Sequence, residues 1–106
     1  MWLPILRKDN EARVPKAAAV VSDSRATNYW DADKILAREF AETLEFVEKT
    51  KPAWDIYLVY GKTAKWEIKA PSPDYWMHKL DDFPKANFLD ASKLAKEIEK
   101  QLAINQ

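Results

Sequence analysis

His78 stands in the run "YWMHKLDD" beside Asp81 and Asp82, and it is the one side chain in the sequence that ordinarily changes charge near neutral pH. An imidazole next to two carboxylates has the composition of a general acid–base or metal site. No second histidine accompanies it, so the run is expected to be a loop whose histidine is hydrogen-bonded to backbone. A small hydrolase or metal enzyme built from this chain would have to work through His78, because a serine or aspartate nucleophile needs a base and no other neutral-pH base is present.

The sequence contains no cysteine. That excludes disulfides, thiolate nucleophiles, zinc–thiolate sites and any dithiol redox cycle within the chain. It does not fix a compartment, since a thiol-free protein suits either redox environment. No metal or cofactor is expected.

Other chemistry-bearing residues have plainer readings. Asp31 and Asp33 pose as a carboxylate pair, but their place before a helical pattern makes them a cap and a dipole partner. Glu39, Glu42, Glu45 and Glu48 read as a solvated helix face, with Glu45 and Lys49 spaced to pair. Trp54, Tyr75, Trp76, Phe83 and Phe88 would line a peptide or ligand groove, or pin a loop onto a sheet. Lys62, Lys65 and Lys69 around Trp66 suit single-stranded nucleic acid, but charged protection of a sheet edge explains them more simply. Pro52 marks the entrance to an apolar strand.

These residues must be positioned by one domain. The chain has 106 residues, 47% apolar and 32% charged, with 17 basic side chains against 17 acidic ones. That size suffices for a core without staples, and the even charge gives no overall field to recruit nucleic acid or an anionic membrane. A monomer or a homodimer is expected. No apolar run reaches the roughly 20 residues of a membrane helix, and the N-terminus lacks a basic region and a cleavage pattern, so a cytoplasmic protein is expected.

"WLPIL" (Trp2 to Leu6) reads as a strand weakened by Pro4. Pro15 belongs in a first helical turn, which starts a helix near Ala12 to Val14 and ends it by Ser22. "RATNYW" is extended. Asp31 caps a helix from Ala32 to about Lys49, with Leu36, Phe40, Leu44 and Val47 on one stripe beside Ala37 and Ala41, and Trp30 and Ile35 placed as a hydrophobic staple.

After Pro52, "DIYLVY" is apolar on both faces and reads as a covered strand. Gly61 is expected to turn it into "KWEIKA", with Trp66, Ile68 and Ala70 inward and Lys65, Glu67 and Lys69 outward on an edge strand. "PSPDYWMHKLDDFPKANF" is a Pro-punctuated loop, an ordered flap or a partner surface. A last helix starts at Asp90, with Leu89 and Leu94 as a second staple and Ala91, Leu94, Ala95, Ile98 and Leu102 as its core face.

This order, together with "KPAWDIYLVYG", resembles the thioredoxin fold, with Pro52 at the position of that family's cis-proline and Gly61 at its hairpin glycine. The runs "NYWDADKIL", "AWDIYLVYG" and "PDYWMHKL" are similar to an uncharacterised group of bacterial thioredoxin-like proteins. The resemblance implies a βαβαββα domain over residues 1–106, with a mixed sheet, an antiparallel C-terminal hairpin and helices on both faces. Where the family carries Cys-x-x-Cys, this chain has Arg7, Lys8, Asp9 and Asn10. Either "WLPIL" is the first strand and the cysteines are gone, or it is the second, and the first strand with its active-site helix lies upstream.

The expectation is therefore a non-catalytic thioredoxin-like module that binds a protein or peptide through Pro52, Trp54, Tyr75, Trp76 and His78. Its alternative is part of a thiol–disulfide oxidoreductase whose Cys-x-x-Cys precedes this chain.

Overall fold

The computed structural model describes residues 1–45, 52–81 and 83–104. Within them the chain is a mixed α/β structure with α-helices α1 (Val14–Ala18), α2 (Ile35–Thr43) and α3 (Ala91–Ile104). Strands β1 (Ile56–Val59) and β2 (Tyr75–His78) form one antiparallel sheet. None of the described helices is long and apolar enough to cross a membrane. Val47, Glu48, Lys49, Asp82 and the bond joining Lys51 to Pro52 lie outside the described residues, and with them the expected cis bond and the Glu45–Lys49 pair.

The expected first strand contracts to a single parallel bridge between Trp2 and Trp30. The Trp2 amide donates to the Tyr29 carbonyl and the Asp31 amide to the Trp2 carbonyl, each at 2.7 Å. The ladder stops there because Pro4 has no N–H to give, while the amides of Ile5 and Leu6 donate to Asp9 Oδ2 at 3.1 and 2.7 Å. A 3-10 helix, Glu11–Arg13, then leads into α1, whose Pro15 sits in the first turn as expected. The helix ends well before Ser22. Val20 and Val21 stand exposed, and β-branched side chains without packing give a helix little reason to continue.

Asp31 does cap α2, although the helix begins three residues later than the cap residue suggests. Its carboxylate accepts the amides of Ile35 (3.0 Å) and Ala37 (3.1 Å), two of the otherwise unpaired donors of the first turn. Lys34, in the left-handed region at φ 58°, is the residue from which the helix departs. This shift removes the staple geometry, and Ile35 is 64% exposed. α2 ends at Thr43, short of the expected Lys49, and the stripe is as expected only as far as its C-cap residue Leu44. Ala37 and Ala41 are fully buried, and Phe40 and Leu44 pack with Ile56, Trp76 and Phe83 against Ala41 and Ala53. Small residues at this point let the chain before β1 come close enough for the Ala53 amide to donate to the Ala37 carbonyl at 2.8 Å.

The hairpin is the main correction. β1 pairs with Tyr75–His78, in the register Ile56–His78 through Val59–Tyr75, and not with "KWEIKA". Gly61 has no positive φ; among the described residues the left-handed positions are Lys34, Glu45 and Asp55. Residues 60–74 instead form a long connection held by side chains. The Gly61 amide donates to Asp74 Oδ2 at 2.6 Å, Tyr60 Oη donates to the Pro71 carbonyl at 2.8 Å, and the Ala70 amide donates to Glu39 Oε1 at 2.8 Å.

Glu39 is thus a half-buried tether, not part of a purely solvated face. Trp66 meets Phe40 edge-on at 5.7 Å, while Ile68 is 93% exposed. The physical reason is burial. Pairing with β2 puts Met77 and His78 wholly inside, whereas a strand alternating with lysine and glutamate has only one face to bury.

The supposed flap therefore contains β2. A 3-10 helix, Lys85–Asn87, follows it and leads to α3, which Asp90 caps: its Oδ1 accepts the Lys93 amide at 3.1 Å and its carbonyl the Leu94 amide at 3.0 Å. α3 does not bury the stripe expected of it. Leu94 is half-buried, but Ile98 and Leu102 are 44% and 60% exposed. The radius of gyration is 14.5 Å, against roughly 13 Å for a compact domain of this length.

Candidate functional site: a tryptophan-lined cleft

A cleft of about 1270 Å³ separates the N-terminal segment from β1. One bank is Trp2, Leu3 and Ile5, continued by Arg13, Val14 and Lys16; the other is the run from Ala53 to Leu58. Trp30 and Phe40 complete the lining. Three of the five tryptophans of the chain, Trp2, Trp30 and Trp54, therefore meet one space. Trp2 is fixed by its indole N–H, which donates to Asn28 Oδ1 at 2.9 Å, and by its bridge to Trp30.

The opposite bank is set by the turn into β1. Asp55 lies in the left-handed region at φ 49°, a conformation that aspartate tolerates better than most residues. Its Oδ1 accepts the Tyr57 hydroxyl at 3.0 Å. Burial, reinforced by the hydrogen bond to Asp55 and by its negative charge, pushes the Tyr57 hydroxyl above its ordinary pKa. The cleft thus contains a neutral phenol, carboxylates already engaged in hydrogen bonds at Asp9 and Asp55, and two cations at Arg13 and Lys16. Neither cation is in an ion pair among the described residues.

The five residues expected at a binding surface do not come together. Trp54, 38% exposed, is the one that lines the cleft. Pro52 is half-buried just before it and outside the lining. Tyr75 and Trp76 are half-buried on β2, with Trp76 packed against the Ala41 and Ala53 core. Phe83 and Phe88 border a separate depression of about 330 Å³ with Leu80, Asp81 and Lys85.

His78 is a core residue, not a surface one. It is 0% exposed, with the rings of Trp76, Phe83 and Phe88 centred 5.5 to 5.8 Å from its own. Its Nδ1 accepts the Leu80 amide at 3.0 Å, which leaves Nε2 to donate to the Pro84 carbonyl at 2.8 Å. Both ring nitrogens are occupied by backbone, so neither is directed at a substrate or metal ion. No cluster of three or more potential metal ligands occurs among the described residues. The expectation that this histidine bonds to backbone holds; a surface role for it does not.

Sequence reasoning missed Trp2, Leu3, Ile5, Arg13, Lys16 and Trp30 as site residues. "WLPIL" and "NYW" carry their tryptophans openly, but both were legible only as strands, and nothing local says that a gap separates the first from β1.

Compared with known proteins, the chain matches no family model, no curated protein and no solved structure.

Proposed function

We propose that this chain is a thioredoxin-like binding module without redox chemistry, and that the cleft between the N-terminal segment and β1 holds a protein or peptide partner. The order of elements supports the thioredoxin-like reading. Trp2 and Trp30 bridge in parallel across an intervening helical segment, as in a strand–helix–strand unit, and α2, an antiparallel strand pair and a closing helix follow. The antiparallel pair uses Tyr75–His78 where the resemblance suggested residues 65–70.

One observation carries the functional reading: three tryptophans and an open strand bank enclose a space of about 1270 Å³. That exceeds the roughly 300–1,000 Å³ of small-molecule sites and suits a chain segment. Tryptophan supplies much of the energy of recognition surfaces because it buries a large rigid area. The absence of cysteine and the sealed position of His78 support a module that binds without turnover.

Selection of a random linear peptide library on the immobilised protein tests this reading. Peptides are expected to be enriched on the wild-type chain and lost on Trp54→Ala. Enrichment that survives Trp54→Ala, or measurable disulfide reduction by the purified chain, would contradict it.

A further inference from the structure

One bank of the cleft is the edge of a strand, β1, and the other is the segment that bridges to Trp30 through Trp2. On β1, the Lys79 amide donates to the Asp55 carbonyl at 3.1 Å, which sets the phase of the ladder. In an antiparallel pair the backbone groups of successive residues point alternately toward and away from the partner. Tyr57 therefore faces β2, while Ile56 and Leu58 turn their N–H and C=O groups to the other edge.

The same alternation turns Trp76 and His78 outward on β2, and there partners meet them. Asn87 Nδ2 donates to the Trp76 carbonyl at 3.0 Å and the Leu89 amide to the His78 carbonyl at 2.8 Å. On the outer edge of β1 no strand is paired among the described residues. Ile56, Tyr57 and Leu58 all line the cleft. Consecutive strand residues point to opposite faces, so three in a row border one space only when the strand presents its edge.

Across the gap, Trp2 donates its N–H to the Tyr29 carbonyl and accepts the Asp31 amide on its C=O, while Leu3, the next residue, lines the cleft with no backbone hydrogen bond among the described residues. Among the described residues the gap is thus bordered by backbone without a strand partner on both sides, and it is lined by Arg13 and Lys16, cations without acidic partners there.

We infer that an extended, acidic peptide segment of a partner protein adds to β1 as a strand, pairing with the backbone of Ile56 and Leu58 while its carboxylate meets Arg13 and Lys16. This rests on the cleft being the binding site. The exposed edge supplies main-chain affinity and the cations supply selectivity, the division of labour of strand addition. Charge complementarity decides for an acidic segment, since Asp9 and Asp55 already hold internal hydrogen bonds and the two cations do not.

The test takes peptides selected from the library above, made synthetically, together with versions N-methylated at alternate amides and versions with glutamate replaced by lysine. Amide hydrogen exchange on the full chain is expected to slow at least tenfold at Ile56 and Leu58 when a peptide binds. N-methylation on one edge should cost tenfold or more in affinity, and the preference for glutamate over lysine should vanish in Arg13→Ala/Lys16→Ala. Trp54-dependent binding with unchanged exchange at Ile56 and Leu58, or indifference to methylation, overturns strand addition and leaves the binding module standing. A library that yields nothing overturns both. Protection of Ile56 and Leu58 by self-association without peptide assigns the edge to a second copy and overturns the peptide proposal.

Discussion

The Nε2 of His78 donates to the backbone carbonyl of Pro84 at 2.8 Å, tying the end of β2 to the loop that returns toward α3. With Nδ1 accepting the Leu80 amide, the ring acts as a clip between two backbone segments.

The clip predicts a single tautomer. Long-range proton–nitrogen correlation should find Nε2 protonated and Nδ1 bare, and imidazole-directed reagents should modify His78 only in unfolded protein. His78→Ala removes both bonds and leaves a cavity, so a loss of about 3 kcal/mol in stability is expected. An Nδ1-protonated ring, or modification in the native state, would contradict this placement.

Capping of α2 yields two effects of opposite sign. Asp31→Ala removes the acceptor for the Ile35 and Ala37 amides and should cost about 1–2 kcal/mol. Lys34→Gly relieves a left-handed residue and should gain about 1 kcal/mol. Urea midpoints measure both, and a Lys34→Gly chain less stable than wild type would show that this backbone conformation is not a strain.

At alkaline pH the tyrosines set the trend. Burial raises the hydroxyls of Tyr57 and Tyr60 above their ordinary value, helped by Asp55 for the first and by the charge of Asp74 for the second. A raised folded pKa means that the unfolded chain loses these protons first. The contribution is therefore complete below the unfolded value of about 10 and is lost as pH rises through the folded value. Tyr57→Phe should show a shallower fall in urea midpoint between neutral pH and about pH 11 than wild type does. An equal or steeper fall would remove Tyr57 from this account.

The elements that were legible in the sequence are those specified by near neighbours. Pro15 in a first turn, the Ala37 and Ala41 stripe, the apolar run at Ile56–Val59 and the Asp90 cap each need only a few adjacent residues. The partner of β1 was not legible, because pairing is a competition between distant segments. Gly61 advertised a near turn, but burial of Met77 and His78 favours the farther strand. The stripe on α3 shows the converse limit: an apolar period at Ile98 and Leu102 states what a helix is able to cover, not what lies against it.

The site was half legible for the same reason. Trp54 announced itself by type and position. Trp2 and Trp30 join it only because Pro4 and Asp9 end the first strand early and leave a gap beside β1, a consequence of hydrogen bonds that no local pattern encodes.

Indole N–H resonances test the central claim most directly, because the five tryptophans divide into two groups. Trp2, Trp30 and Trp54 line the cleft, while Trp66 sits over α2 against Phe40 and Trp76 packs at the core. Titration with a library-selected peptide should shift the first three and leave the other two in place. Shifts confined to Trp66 or Trp76, with the cleft indoles unmoved, would contradict the account.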